Sequence, residues 1–251
     1  MASEKATAIV LRVIDFSETS NVVALYTREF GKVSGLAKGG RRPKGPFDSA
    51  LDLLCLCRIV FLRKSSGTLD LLTEARLERR FRVTRGRLEN LYAAYYVAEL
   101  LLELTDEYDA NSELFDLADS TLVELMGETP VAATLLRYEL TLLRLLGHLP
   151  SLRECVECGK KMEPVRGMHF GMLDGGVLCG ACRGGRRHVV AISPAVVQAM
   201  ETFAAAADNG WRQYDFSRVN RGELRGILNQ YIAHLMGKKP RLASFLGFLT
   251  R

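Results

Sequence analysis

Ala6-Thr-Ala-Ile-Val-Leu-Arg-Val-Ile-Asp-Phe16 sets the class of the N-terminal third of the chain. Apolar and polar residues alternate through part of this run and β-branched side chains dominate it, the pattern of a strand with one buried face. Downstream, Asn21-Val-Val-Ala-Leu-Tyr-Thr27 follows the turn Ser17-Glu-Thr-Ser20, and Gly31 separates it from Lys32-Val-Ser-Gly-Leu-Ala-Lys38. A glycine- and proline-rich loop comes next, Gly39-Gly-Arg-Arg-Pro-Lys-Gly-Pro-Phe47. Two more strands are predicted over residues 53–63 and 69–83, with Ser65-Ser-Gly67 as a hairpin turn between them. Five short strands with one longer loop predict a small closed barrel such as an OB-fold. A five-stranded SH3-like barrel has nearly the same pattern, and strand counting leaves both open.

From Arg85 the period changes. Leu88, Leu91, Tyr92, Tyr95, Tyr96 and Leu102 recur mostly at three- and four-residue steps, as in an amphipathic helix. A second helix is predicted over residues 111–126, opened by Asn111 or Ser112 and closed by Gly127, and a third from Pro130 to Leu146 ahead of Gly147. Short loops between such helices imply antiparallel neighbours in a bundle. From Pro150 to about His188 the helical period is lost and glycine and cysteine increase. Ser193-Pro194 then opens a helix through Ala207, and a last helix covers residues 221–236 before a basic tail, Gly237-Lys-Lys-Pro-Arg241. The expected class is a multidomain α+β protein. Its barrel covers residues 1–82, its helical domain 83–150 and 190–251, and a cysteine module, 151–189, is inserted in the helical domain.

The overall charge of +5 conceals an uneven layout. Residues 1–82 carry 15 Lys/Arg against 9 Asp/Glu, residues 83–150 carry 4 against 12, and residues 151–251 carry 15 against 8. This basic–acidic–basic order places a polyanionic partner on the two ends. The opening Met1-Ala-Ser-Glu-Lys-Ala6 has no apolar run of the secretory kind, and the greasiest stretch, residues 51–62, is interrupted by Asp52 and Arg58. The expectation is a cytoplasmic protein without a membrane span.

Cys155-x2-Cys158 is followed, after 20 residues, by Cys179-x2-Cys182. Each pair bends the chain so that two thiolates face one centre, and two such knuckles complete a tetrahedron around one zinc ion. Four cysteine ligands leave no open coordination position, so the zinc is expected to be structural. His169 and His188 lie close by in sequence and are not assigned as ligands. Cys55 and Cys57 lie two apart on one face of a strand flanked by leucine and read as core.

Lys38-Gly-Gly-Arg-Arg-Pro-Lys44 puts four positive charges in seven residues. Its glycines allow the backbone to approach a phosphate, and its arginines can grip phosphate in bidentate fashion. It lacks the G-K-[ST] ending of a nucleotide P-loop. Arg12, Arg28, Lys32, Arg58, Arg63 and Lys64 could extend the charge over one barrel face, with Tyr26, Phe30, Phe47 and Phe61 as candidate stacking rings. There is no HExxH, no GxSxG and no defensible triad spacing, so no catalytic activity is expected.

Several of these segments resemble the RecO family of bacterial DNA-repair proteins. Ala8-Ile-Val-Leu-Arg12, Phe16-Ser-Glu-Thr-Ser20, Leu25-Tyr-Thr-Arg-Glu-Phe-Gly-Lys32 and Ala37-Lys-Gly-Gly-Arg-Arg-Pro-Lys44 are similar to the family's opening. Arg137-Tyr-Glu-Leu-Thr-Leu-Leu-Arg-Leu-Leu-Gly-His-Leu-Pro150 resembles the approach to its zinc site. Leu152-Arg-Glu-Cys-Val-Glu-Cys-Gly159 and Gly175-Gly-Val-Leu-Cys-Gly-Ala-Cys182 resemble that site itself, and residues 231–245 the family's end. The resemblance implies an N-terminal OB-fold, a central helical domain and an inserted zinc module. It implies a recombination mediator that binds single- and double-stranded DNA, anneals complementary strands without ATP and helps load RecA onto coated strands. Its implied partners are RecR and the acidic tail of the single-strand-binding protein. On the matching positions Lys38, Arg41, Arg42 and Lys44 would contact DNA, and Cys155, Cys158, Cys179 and Cys182 would hold zinc. Gly40 stands where many relatives have alanine. Arg137 and Arg144, seven apart on one helix, are candidate receptors for the acidic tail. Two rival readings are a zinc-ribbon adaptor working through protein contacts and a metal-dependent nucleic-acid enzyme.

Overall fold

A computed structural model describes residues 3–42, 45, 47, 50–64, 69–84, 87–163, 167–205, 209–216 and 219–250. The chain divides into two compact units, Met1–Glu128 and Thr129–Arg251. Each is α+β.

In the first unit five strands close on themselves: β1 (Ser3–Asp15), β2 (Asn21–Thr27), β3 (Gly31–Ala37), β4 (Leu56–Leu62) and β5 (Asp70–Arg79), in the cyclic order β1-β2-β3-β5-β4. β1 makes the closure possible. Residues Ser3 to Ile9 pair with β4 and residues Ala8 to Asp15 with β2, the register shifting between Val10 and Arg12. An extra residue in one strand bends it and increases its twist, so one long strand can serve both neighbours. β3 and β5 pair in parallel through Gly35–Asp70, Leu36–Leu71 and Ala37–Leu72, which a simple up-and-down meander cannot do. The inward positions of the strands meet in one core that includes Val10, Val23, Leu25, Val33, Ile59, Phe61 and Leu72. Cys55 and Cys57 belong to that core, as expected. The loop predicted at Ser65-Ser-Gly67 lies outside the described residues.

Two helices complete this unit, α1 (Leu88–Leu104) and α2 (Ser112–Met126). Asn111 caps α2 by accepting from Leu114 N at 2.9 Å, and Asn90 of α1 donates to Leu125 O at 2.8 Å. The connection between them runs along the start of β3, where Tyr108 N donates to Lys32 O at 2.9 Å. Gly31, at φ +69, permits this approach: a Cβ there would stand 2.0 Å from Asp109 O.

The second unit has α3 (Val131–Leu145), a three-stranded antiparallel sheet ordered β7-β6-β8 (β6 Met168–Gly171, β7 Gly176–Leu178, β8 Val189–Ile192), α4 (Pro194–Ala204) and α5 (Arg221–Leu235). α3 is buried on nearly every side. Its Glu139, fully buried, accepts two hydrogen bonds from Arg225 of α5, which is itself 5 % exposed. Asn111 caps α2 as expected, and Pro194 stands in the first turn of α4, whereas Pro130 is the N-cap residue just before α3 and neither it nor Ser193 makes a side-chain cap hydrogen bond. The short sheet carried no periodic signal, because three- and four-residue strands are shorter than the window over which alternation can be read. Among the described residues no helix is long and apolar enough to cross a membrane.

Candidate nucleic-acid interface and metal centre

The turn after β1 and the start of the basic loop are tied together. Phe16 N and Ser17 N both donate to Ser20 O, at 2.9 and 3.2 Å, closing the turn. Arg41 N donates to Thr19 O at 3.2 Å, its guanidinium donates to Ser17 O at 3.2 Å, and the same Nη1 lies 3.3 Å from Asp15 Oδ2. Gly39, at φ +77, turns the chain back after Lys38, and Gly40 fits closely: a Cβ there would meet Ala37 O at 3.2 Å. The loop is therefore a packed turn at this point, tighter than its glycine content implies. Between the two segments is a shallow cleft of about 330 Å³ whose walls include Phe16, Ser20, Leu36, Lys38 and Arg42. Lys38, Arg41 and Arg42 thus come together at one end of the barrel. Lys44 lies outside the described residues.

Arg28 and Lys32 are elsewhere. Arg28 makes a two-bond ion pair with Asp116 of α2, both bonds 2.9 Å, and this hydrogen bonding holds the Asp116 carboxyl below its ordinary value. Lys32 Nζ donates to Leu102 O at 2.9 Å and also to Thr105 O. It caps the C-terminal end of α1, where the helix has no basic residue of its own. Both side chains are turned to the helices of their own unit. Arg12 stays exposed on β1, Arg58 pairs with Glu78, and Arg63 stacks over the Tyr108 ring at 3.9 Å.

The four candidate stacking rings are not on the surface. Tyr26, Phe47 and Phe61 are buried and Phe30 is packed against the core. Tyr26 stacks on Phe115 of α2 at 6.5 Å between centroids, and burial pushes its hydroxyl far above its ordinary value. Among the described residues the exposed aromatic of the barrel is Phe16, at 65 %. The sequence signal for it is weak: it ends the strand run, between Asp15 and the polar turn Ser17-Glu-Thr-Ser20.

In the second unit the four cysteines of the two CxxC pairs converge, all sulfurs lying within 4.8 Å of one another. Cys158 Sγ and Cys179 Sγ are 3.9 Å apart. A tetrahedron of Zn–S bonds of about 2.3 Å has edges of about 3.8 Å, so the separation fits a metal and excludes a disulfide, whose sulfurs lie about 2.05 Å apart. β7 runs directly into the second knuckle and also seats the first: Val156 N donates to Val177 O at 3.1 Å and Val177 N to Ser151 O at 2.9 Å. Gly176 makes that seat, since a Cβ there would stand 2.5 Å from Ser151 O. Arg186 pairs with both Glu157 and Asp174, tying the knuckles together from outside.

Two of the four thiols are shifted toward thiolate. Burial raises Cys155, but the backbone N–H groups of Cys179, Cys158 and Glu157 outweigh it and bring the thiol down to about 6. Cys179 is lowered, chiefly by the backbone N–H of Cys182, while Cys182, hydrogen-bonded to Cys179 and Cys158, is pushed up to about 12. A cation bound at their centre would displace the protons these sulfurs hold, since a metal takes thiolates. His169 Nε2 lies 2.6 Å from Arg183 Nη1, and no histidine joins the sulfur cluster among the described residues. Arg137 donates to Thr141 and to Phe203 O, the latter at 3.3 Å. Arg144, seven residues on, has a buried Nε without a hydrogen-bond partner among the described residues.

Barrel, helices and thiol cluster define a multidomain α+β protein with a four-cysteine site able to hold a metal ion. Residues 1–81 match the family described as recombination protein O N terminal, and residues 85–243 that described as recombination protein O C terminal. The chain belongs to the RecO family of DNA-repair proteins. It is 40 % identical to DNA repair protein RecO of Rhodopirellula baltica over 262 aligned positions, covering 95 % of this chain and 97 % of that one. It is 32 % identical to the protein of the same name from Anaeromyxobacter dehalogenans, covering 96 % and 95 %, and 30 % identical to that of Myxococcus xanthus, with the same coverage.

Proposed function

We propose that this chain is a recombination mediator of DNA repair that works without chemical catalysis. It binds single- and double-stranded DNA, anneals complementary strands without ATP and helps RecA load onto strands covered by the single-strand-binding protein. The barrel is an OB-fold, a reading supported by its strand order with the parallel β3–β5 pair. RecR and the acidic tail of the single-strand-binding protein are its partners, Arg137 and Arg144 being the candidate tail contacts, and it acts in the cytoplasm. The metal is one zinc ion with a structural role, since four thiolates complete its tetrahedron.

The observation that carries the DNA reading is the joined pair of segments at the barrel end, with Lys38 and Arg42 lining one cleft and Arg41 hydrogen-bonded to the turn that walls it. Two charged strands repel, and a protein that neutralises phosphate on both lowers that barrier with no chemical fuel. Annealing leaves bases free to pair, so the grip is mainly on phosphate.

The test is annealing of complementary oligonucleotides, with and without the single-strand-binding protein, by wild type and a Lys38/Arg41/Arg42/Lys44→Ala variant. Matched melting curves and metal content establish that the variant folds. Wild type is expected to anneal without ATP and the variant to lose most of that activity. The variant's salt slope for duplex binding is expected to fall by about 0.9 per phosphate contact removed. If wild type neither binds nor anneals, the adaptor reading replaces this one.

A further inference from the structure

Phe16 presents most of its ring to solvent. Burying a phenylalanine ring is strongly favourable, yet this one is 65 % exposed on a turn that its own backbone hydrogen bonds hold closed. The ring stands at the end of a larger apolar feature. Strand register aligns Ile14 with Val22, Val22 with Leu36, and Leu36 with Leu71, four aliphatic side chains in one row across β1, β2, β3 and β5. Because side chains alternate along each strand, all four lie on the outer face, opposite Val13, Val23 and Leu72 of the core side. Ile14 is 51 % exposed and the other three are half-buried. The row is about 14 Å long at ordinary strand spacing.

Charge flanks this row on both sides. Arg12 is two residues before Ile14 on the same face of β1, and Lys38, Arg41 and Arg42 follow the end of β3. The opposite end of the same β2–β3 surface is closed, with Tyr26 under Phe115 and Lys32 on the end of α1. An apolar shelf with an aromatic end and a cationic rim complements a chain that is anionic along one edge and flat and apolar along the other.

We infer that Phe16 and the Ile14–Val22–Leu36–Leu71 row receive unpaired bases of a single strand, Phe16 stacking on one base while Arg12, Lys38 and Arg42 hold flanking phosphates. This deepens the proposed DNA reading and rests on it. It makes Phe16 the residue that distinguishes single strands from duplex, whose bases are already stacked. One ring holding one base still leaves the neighbouring bases free for a complementary strand.

The test compares binding of wild type and Phe16→Ala to three probes of equal length: oligo(dT), the same backbone with abasic sites, and a random-sequence duplex. Base–aromatic stacking predicts a loss of about tenfold on oligo(dT), with abasic and duplex binding changed less than twofold and an unchanged salt slope. Phe16→Trp is expected to keep oligo(dT) affinity and to show fluorescence quenching at saturation against the buried Trp211, which is 4 % exposed. Equal losses on all three probes, or no loss on oligo(dT), would overturn the inference. So would base-independent DNA binding together with displacement of an acidic apolar-ended peptide in Phe16→Ala, which would assign the row to a protein partner. Failure of wild type to bind any probe would instead remove the DNA reading itself.

Discussion

Replacing Cys155 with alanine is expected to abolish stoichiometric metal binding and to unravel the two knuckles on either side of β6 and β7, around residues 153–163 and 179–187. β6 and β7 between the knuckles are held by their own sheet and buried side chains, but among the described residues the knuckles themselves have few ties besides the sulfur cluster. The first knuckle reaches β7 through a few backbone hydrogen bonds, each contributing about 1 kcal/mol net. The pairs of Arg186 with Glu157 and Asp174 lie at the surface, where ion pairs contribute at most about 1 kcal/mol. Structural zinc contributes on the order of 10–16 kcal/mol to small sites of this kind. Metal content by atomic absorption, with hydrogen exchange over residues 151–187, reads the result directly. One retained equivalent of metal with unchanged exchange would sink the structural role.

Thiol titration gives the same experiment a second readout. After chelation Cys155 and Cys179, whose thiols are lowered, are expected to react first with a disulfide reagent near pH 8, while Cys55 and Cys57 stay silent until the barrel unfolds. Burial raises both, Cys57 to about 12. A raised thiol is protonated at pH 8, and only the thiolate attacks. Fast reaction of all six in the folded protein would mean that the barrel core is open.

The second large effect concerns the helices of the C-terminal unit. Arg225→Met removes the guanidinium that gives fully buried Glu139 two hydrogen bonds, and removing one member of a buried pair costs about 3–5 kcal/mol. Thermal unfolding is expected to shift down by about 10 °C. A Glu139→Leu/Arg225→Met double variant is expected to recover most of that loss, because replacing both charges removes the uncompensated carboxylate. If the single variant melts within 2 °C of wild type, to use a threshold of the order of one small mutational effect, the pair contributes nothing of this size.

Local chemistry was enough to reveal the metal-type centre, because a CxxC knuckle is made by four consecutive residues and two of them specify a tetrahedron wherever the chain brings them. The helix starts at Asn111 and Pro194 were legible for the same reason, and that at Pro130 to within one residue, since a cap acts within one turn. The basic loop, too, was evident from composition, and its first half does come together with the turn after β1. Tertiary contacts decided the rest. Tyr26 and Phe61 carry the same ring chemistry as Phe16, yet α2 and the barrel core cover them and leave Phe16 bare. Arg28 and Lys32 look like any other barrel cations until Asp116 and the end of α1 engage them from about 70 or more residues away. The parallel β3–β5 pair and the Glu139–Arg225 contact likewise join residues distant along the chain. Composition and periodicity report what a residue prefers nearby, whereas burial and charge pairing depend on which distant surfaces the closed barrel and packed helices bring against it.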